Sequence, residues 1–307
     1  MRTDTLPHAA VPVRAPGPVT ARAGATFALL FALLLAATAA YGQACLDDQG
    51  HWTPGPSLAL TVAGDRLYHG EGADLVVSGL ANPAAPVELG RVAIGDPVWS
   101  IATGGSLVAV TDWWDSLYLV DAGNPAAPVV VGHYQSQVGA PYAAAIAGPH
   151  LYLAVRGHGI EVLDISNPAA PVLIGGLVVP GVNFVFDLHL VGTRLFLSAD
   201  QHGLRIIDVG NPAAPVALGA FTGSTDVTAV RVEGNLAYVA AGGEGIYVLD
   251  VGNPAAPVQL GQLALGAYVR RLHKTGSHLF VGTSGNGTRV IDVGNPALPV
   301  QVAVLPE

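Results

Sequence analysis

Beyond residue 56 the apolar residues of this chain fall in short runs, four to six long and rich in β-branched types, each closed by Gly, Asp, Asn or Pro. Runs of that length and composition predict strands rather than helices. They recur in a fixed order. The first precedes a glycine at Gly105, Gly148, Gly192, Gly234 and Gly276, as Val227 to Val232 does before Gly234. The second reads Leu151-Tyr-Leu-Ala154, Leu195-Phe-Leu-Ser198 or Leu236-Ala-Tyr-Val-Ala240. A Gly-rich turn leads into the third, Gly159-Ile-Glu-Val-Leu-Asp164, Gly203-Leu-Arg-Ile-Ile-Asp208 and Gly245-Ile-Tyr-Val-Leu-Asp250. Gly285-Asn286-Gly287 at one such turn marks a hairpin, because Asn and Gly tolerate the positive φ that tight turns need.

A six-residue phrase, Asn-Pro-Ala-Ala-Pro-Val, punctuates these runs. It starts at Asn82, Asn124, Asn167, Asn211 and Asn253 and returns as Asn295-Pro-Ala-Leu-Pro-Val, at intervals of 42, 43, 44, 42 and 42 residues. A period near 40, held that tightly, marks one supersecondary unit per repeat. The segment after each phrase, such as Pro257-Val-Gln-Leu-Gly261, supplies a fourth strand. Four short antiparallel strands with no room for a helix are the cue for a propeller blade, and six copies predict six blades over residues 57 to 305. The predicted fold class is therefore all-β, a six-bladed propeller of continuous blades, with residues 299 to 305 pairing to about 287 to 293; the alternative is a closure in which that terminal strand joins the first blade. Strand periodicity, with 39 Gly and 23 Pro, excludes a helical solenoid. A right-handed β-helix, the other repeat architecture considered, has shorter coils and lacks this hairpin chemistry.

The pattern Gly-Leu-x-Val-Ile-Asp-Val-x-Asn-Pro-x-x-Pro-Val, preceded by Leu-x-Val-Ala, resembles the LVIVD repeat family of exported bacterial and archaeal proteins. The resemblance implies a propeller at the cell surface or in another extracytoplasmic space, and brings no established catalytic residues. The first copy departs, with Gly79 where the others hold Asp121, Asp164, Asp208, Asp250 and Asp292. Terminal repeats are often atypical. Five recurrent aspartates raise the question of calcium. An Asp before a Gly/Ser-Asn-Pro turn more often accepts backbone N–H groups, and one carboxylate per blade spreads the oxygens that a calcium site must converge.

The N-terminal 44 residues are foreign to the repeat. Arg2, Arg14 and Arg22 precede the uncharged stretch from Phe27 to Ala40, too short for a preferred span but suited to a secretory leader. Small residues at Ala39, Ala40, Gly42 and Ala44 offer cleavage sites, and residues 45 to 56 form a short linker. An uncleaved anchor is the alternative. Cys45, the single cysteine, forms no internal disulfide; it is also the candidate for lipidation, although Gly42-Gln-Ala-Cys45 meets only part of a lipoprotein signal. Residues 1 to 42 hold Arg2, Arg14, Arg22 and Asp4, so the remainder carries 10 basic and 21 acidic residues, net −11, from 13 and 22 in the whole chain. That charge repels phosphate backbones and argues against nucleic acid.

Near-identical repeats advertise function where they differ. The second-to-third turns vary, and blade two departs most, with Asp112-Trp113-Trp114-Asp115. Aromatic platforms beside carboxylates suit sugar rings, cations or a protein hot spot; alternatively the tryptophans cover an apolar gap beside Trp99. Arg156, His158, Asp200 and His202 occupy the corresponding turns of blades three and four. The innermost strands predict a second asymmetry: Ser100, Ala102, Ala143 and Ala145 on one side, Asp187, His189, Arg231, Arg271 and His273 on the other. Pairing between neighbouring blades is the structural account of those charges, and a metal or acid/base group the chemical one. No nucleophile–base, phosphate-loop, zinc or EF-hand motif occurs, so neither cofactor nor metal is implied, and no catalytic residue is assigned. The sequence thus predicts an exported, monomeric, non-catalytic propeller binding protein or carbohydrate at the cell surface and meeting a membrane only through its leader or a lipid. The alternative is a metal-assisted hydrolase or lyase in the channel.

Overall fold

The structure, a computed structural model, describes residues 59–112, 114–285 and 287–305. The leader, Cys45 and Trp113 lie outside them. Within them the chain forms 24 strands and no helix, in six four-stranded antiparallel sheets arranged as a six-bladed propeller. The blades run from Leu60 to Ala93, Val98 to Gln135, Pro141 to Val178, Asp187 to Phe221, Ala229 to Leu263 and Val269 to Leu305. Each takes its strands in chain order from channel to rim. The last strand, Val300–Leu305, pairs with Thr288–Asp292, so blade six is completed by its own sequence.

Local chemistry sets each junction. The first-to-second turns place Gly64, Gly105, Gly148, Gly192, Gly234 and Gly276 at φ between 53° and 63°, left-handed backbone that favours glycine. At the opposite edge of each sheet the Asn-Pro phrase is a tight turn. The side-chain oxygens of Asn82, Asn124, Asn167, Asn211, Asn253 and Asn295 each accept the N–H two residues on. Just upstream, Oδ1 of Asp121, Asp164, Asp208, Asp250 and Asp292 accepts the N–H of Gly123, Ser166, Gly210, Gly252 and Gly294 at 2.8–2.9 Å. The aspartates that suggested calcium are turn caps.

The second and third strands are buried on both faces, which is why they read as unbroken apolar runs. Five clusters of side chains fill the junctions between consecutive blades. Between blades three and four, for instance, Tyr152, Ile160 and Val162 meet Leu195, Leu197 and Ile207. No such cluster spans blades six and one among the described residues. There Phe280, Gly282 and Thr288 line the central cavity instead.

Every outer strand carries a bulge at the same place, one extra residue at Leu89, Val131, Ile174, Leu218, Leu260 and Val302. The residue after the bulge is Gly90, Gly132, Gly175, Gly219 or Gly261, and each abuts the carbonyl oxygen of the proline in the next blade's Asn-Pro phrase: Pro125, Pro168, Pro212, Pro254 and Pro296. A Cβ at any of the five would fall well inside van der Waals contact with that backbone. In blade six the position is Ala303, which is exposed.

Candidate functional site

The inner strands border a central cavity of about 980 Å³. Strand register sorts the residues that face it into layers. At the end shared with the second-to-third turns, Ala59, Ser100, Ala143, Asp187, Ala229 and Arg271 hold equivalent positions; one layer deeper come Thr61, Ala102, Ala145, His189, Arg231 and His273. The wall is therefore small and neutral over blades one to three and ionisable over blades four to six.

The ionisable side is tied to the strands beside it. An inner strand has no partner towards the axis, so its edge N–H groups need other acceptors. Asp187 Oδ2 accepts the Val230 N–H at 3.2 Å, and His189 Nδ1 accepts the Val232 N–H at 3.0 Å. The same Asp187 oxygen takes a 2.6 Å ion pair from Arg231. An accepting Nδ1 requires neutral imidazole, and burial, reinforced by the Arg231 charge, pushes His189 down to about 4. His273, whose side chain remains exposed to the channel, is lowered by the walls that enclose it and by the same arginine. Arg271 reaches over the small Ala229 and donates to the carbonyls of Phe186 and Thr228 at 3.3 and 3.4 Å.

Above this wall lies an aromatic group that the repeat pattern did not reveal. Trp99 meets Tyr142 edge-on at 5.3 Å; Tyr142 approaches Phe184 and Phe186, each at 6.3 Å. Those two phenylalanines stack at 5.7 Å, 6° from parallel, and the Arg156 guanidinium sits 4.5 Å over Phe184. Trp99 and Phe186 line the cavity. Phe184 and Phe186 lie in the crossing from blade three to four, within the longest interval between phrases, Asn167 to Asn211. That extra length was the one available signal.

The turn residues divide. Trp99 and Arg156 belong to the aromatic mouth. Asp112 is buried and caps its own turn, its Oδ1 accepting the N–H groups of Trp114 and Ser116 at 2.9 and 3.0 Å. Asp115 accepts from Gln135 at 2.8 Å. Trp114 is 64% exposed and fills no gap. Trp114→Ala should therefore shift the melting temperature by less than about 2 °C, read by calorimetry, since exposed substitutions stay within roughly 0.5 kcal/mol. His158 is half-buried in its turn, and His202 packs beside Gly181. Asp200, at φ 47°, bridges to Val227 near Asp226, whose carboxylate accepts the Tyr268 hydroxyl at 2.8 Å. None of Asp112, Asp115, His158, Asp200 and His202 lines the cavity.

The LVIVD repeat family matches residues 95–136, 143–177, 197–222, 224–264 and 267–304. Solved structures similar in fold include the β-propeller domain of Cps50 (Swd1) from Myceliophteria thermophila, with TM-score 0.68, 16% identity and coverage of 82% of this chain and 86% of that one. A putative 6-phosphogluconolactonase from Bacteroides uniformis gives 0.70 at 13% identity, covering 81% and 85%. The computationally designed Ika8 protein gives 0.60 at 12%, covering 81% and 86%. At such identities the likeness is one of fold. No curated protein matches the chain.

Proposed function

The chain belongs to the LVIVD repeat family, and on that premise we propose that it is an exported, non-catalytic binding propeller which takes hold of a protein or glycan at the aromatic mouth of its channel. One observation carries this reading: Trp99 and Phe186, packed in one aromatic group with Tyr142 and Phe184, line a cavity large enough for an organic ligand. Large aromatics at a concave mouth are the commonest anchors of recognition. Asp187 and His189, the residues best placed for acid/base or metal chemistry, are engaged by Arg231 and by the edge of blade five. Their engagement favours binding over the hydrolase or lyase alternative. The Arg-flanked apolar leader supports export.

N-terminal sequencing of the exported protein should begin near residues 43 to 45; an intact leader in the cytoplasm would refute export. For binding, Trp99→Ala combined with Phe184→Ala should weaken capture of a glycan or surface protein by the immobilised exported form at least tenfold. A hot-spot aromatic contributes on the order of 2 kcal/mol or more. Circular dichroism verifies that the double variant stays folded. Undiminished capture by a folded double variant sinks this assignment.

A further inference from the structure

The cavity wall is charged out of keeping with the rest of the chain. Acidic residues outnumber basic ones, 22 to 13. Yet on the ionisable side the one carboxylate, Asp187, is neutralised by Arg231 at 2.6 Å. Arg271 is left with two carbonyl oxygens, Phe186 and Thr228, and no carboxylate partner among the described residues. It is exposed and lines the cavity. A positive charge in a concave site focuses its field on whatever enters, and a guanidinium suits a carboxylate in two-point geometry.

The surroundings define the body that carries such a carboxylate. The Phe186 carbonyl fixes Arg271 beside the Phe184–Phe186 stack, with Trp99 across the mouth. Thr61, Ser100, Thr103, His189 and His273 line the cavity below. An apolar fatty or aryl acid would leave those polar groups unmatched, whereas a hydroxylated ring presents an apolar face to the aromatics and hydroxyls to the polar wall. Resting on the binding reading above, we propose that the channel mouth binds an acidic saccharide, a uronate, with its carboxylate on Arg271 and a ring face against Trp99 and Phe186.

The test is calorimetric titration of the exported protein with a panel of uronate trisaccharides and the methyl ester of each. At least one free acid should bind ten times or more tighter than its ester, and its affinity should fall as salt is raised while the ester's does not. Arg271→Gln, which keeps a donor for the two carbonyls, should erase the difference between acid and ester; Arg271→Lys should restore part of it. Trp99→Ala should weaken both. Equal binding of acid and ester, acid binding indifferent to Arg271→Gln, or no binding by any member of the panel overturns the proposal. In those cases a neutral glycan or protein captured in a Trp99-dependent way leaves the broader binding function standing.

Discussion

Gly132→Ala is expected to destabilise the propeller by about 3 kcal/mol or more, lowering its melting temperature by roughly 6–12 °C. The added methyl group has no free space. It points at the carbonyl oxygen of Pro168, main chain locked in a proline turn and pinned by Asn167 through the N–H of Ala169. A side chain swings out of the way; this backbone does not. Relief requires blades two and three to separate along their rims, and that opens the cluster in which Leu117 and Leu119 pack against Leu151 and Leu163. Ala303 supplies the control, for it occupies the equivalent place in blade six and is exposed. Ala303→Gly should cost no more than about 1 kcal/mol, the backbone-entropy penalty of glycine in a strand. If thermal denaturation finds Gly132→Ala within 1 °C of the parent, the contact between bulge and proline turn is not what spaces the blades.

Acid should weaken the fold well before general acid denaturation. His69 and His189 are both held down to about 4, chiefly by burial, from an ordinary value near 6.5. Above pH 6.5 both are neutral whether the chain is folded or not, and they contribute no pH dependence. Between 6.5 and 4 the unfolded chain takes up protons that the folded chain refuses, so stability falls as pH falls through that window. The loss saturates below about 4, at roughly 3 kcal/mol for each histidine. A protonated His189 also loses the Nδ1 lone pair that receives the Val232 N–H. His189→Asn retains an acceptor and removes the titration, so its melting temperature should fall less steeply between pH 6.5 and 4.5 than the parent's. Identical slopes for parent and variant would discard His189 as a source of the acid sensitivity.

The blades were legible because the features that specify them recur. A β-branched run, an αL glycine and an Asn-Pro turn each return six times or nearly so, and repetition separates signal from accident. Even the polarised channel was visible, since strand register carries His189, Arg231 and His273 to equivalent positions. Its chemistry was not, because the sequence does not show that Asp187 and His189 serve the unpaired edge of the adjacent strand. The aromatic mouth was less visible still. Tyr142, Phe184 and Phe186 come from an inner strand and a crossing loop, where no period aligns them, and only folding brings them within 7 Å of one another. Asp112 was illegible for the opposite reason: flanking two tryptophans it resembled part of a ligand platform, but its carboxylate accepts N–H groups of its own turn.

That each blade is written in one uninterrupted stretch has an evolutionary consequence. Among the described residues no strand is borrowed across the ring, so a crossover between two copies of the gene segment adds or removes one whole blade and orphans no hydrogen-bonding edge. The near-verbatim phrases from Asn82 to Asn295 are the homology on which such crossovers act. Blade number in this lineage is thus open to change in single steps, with each step altering the girth of the channel while leaving every existing blade intact.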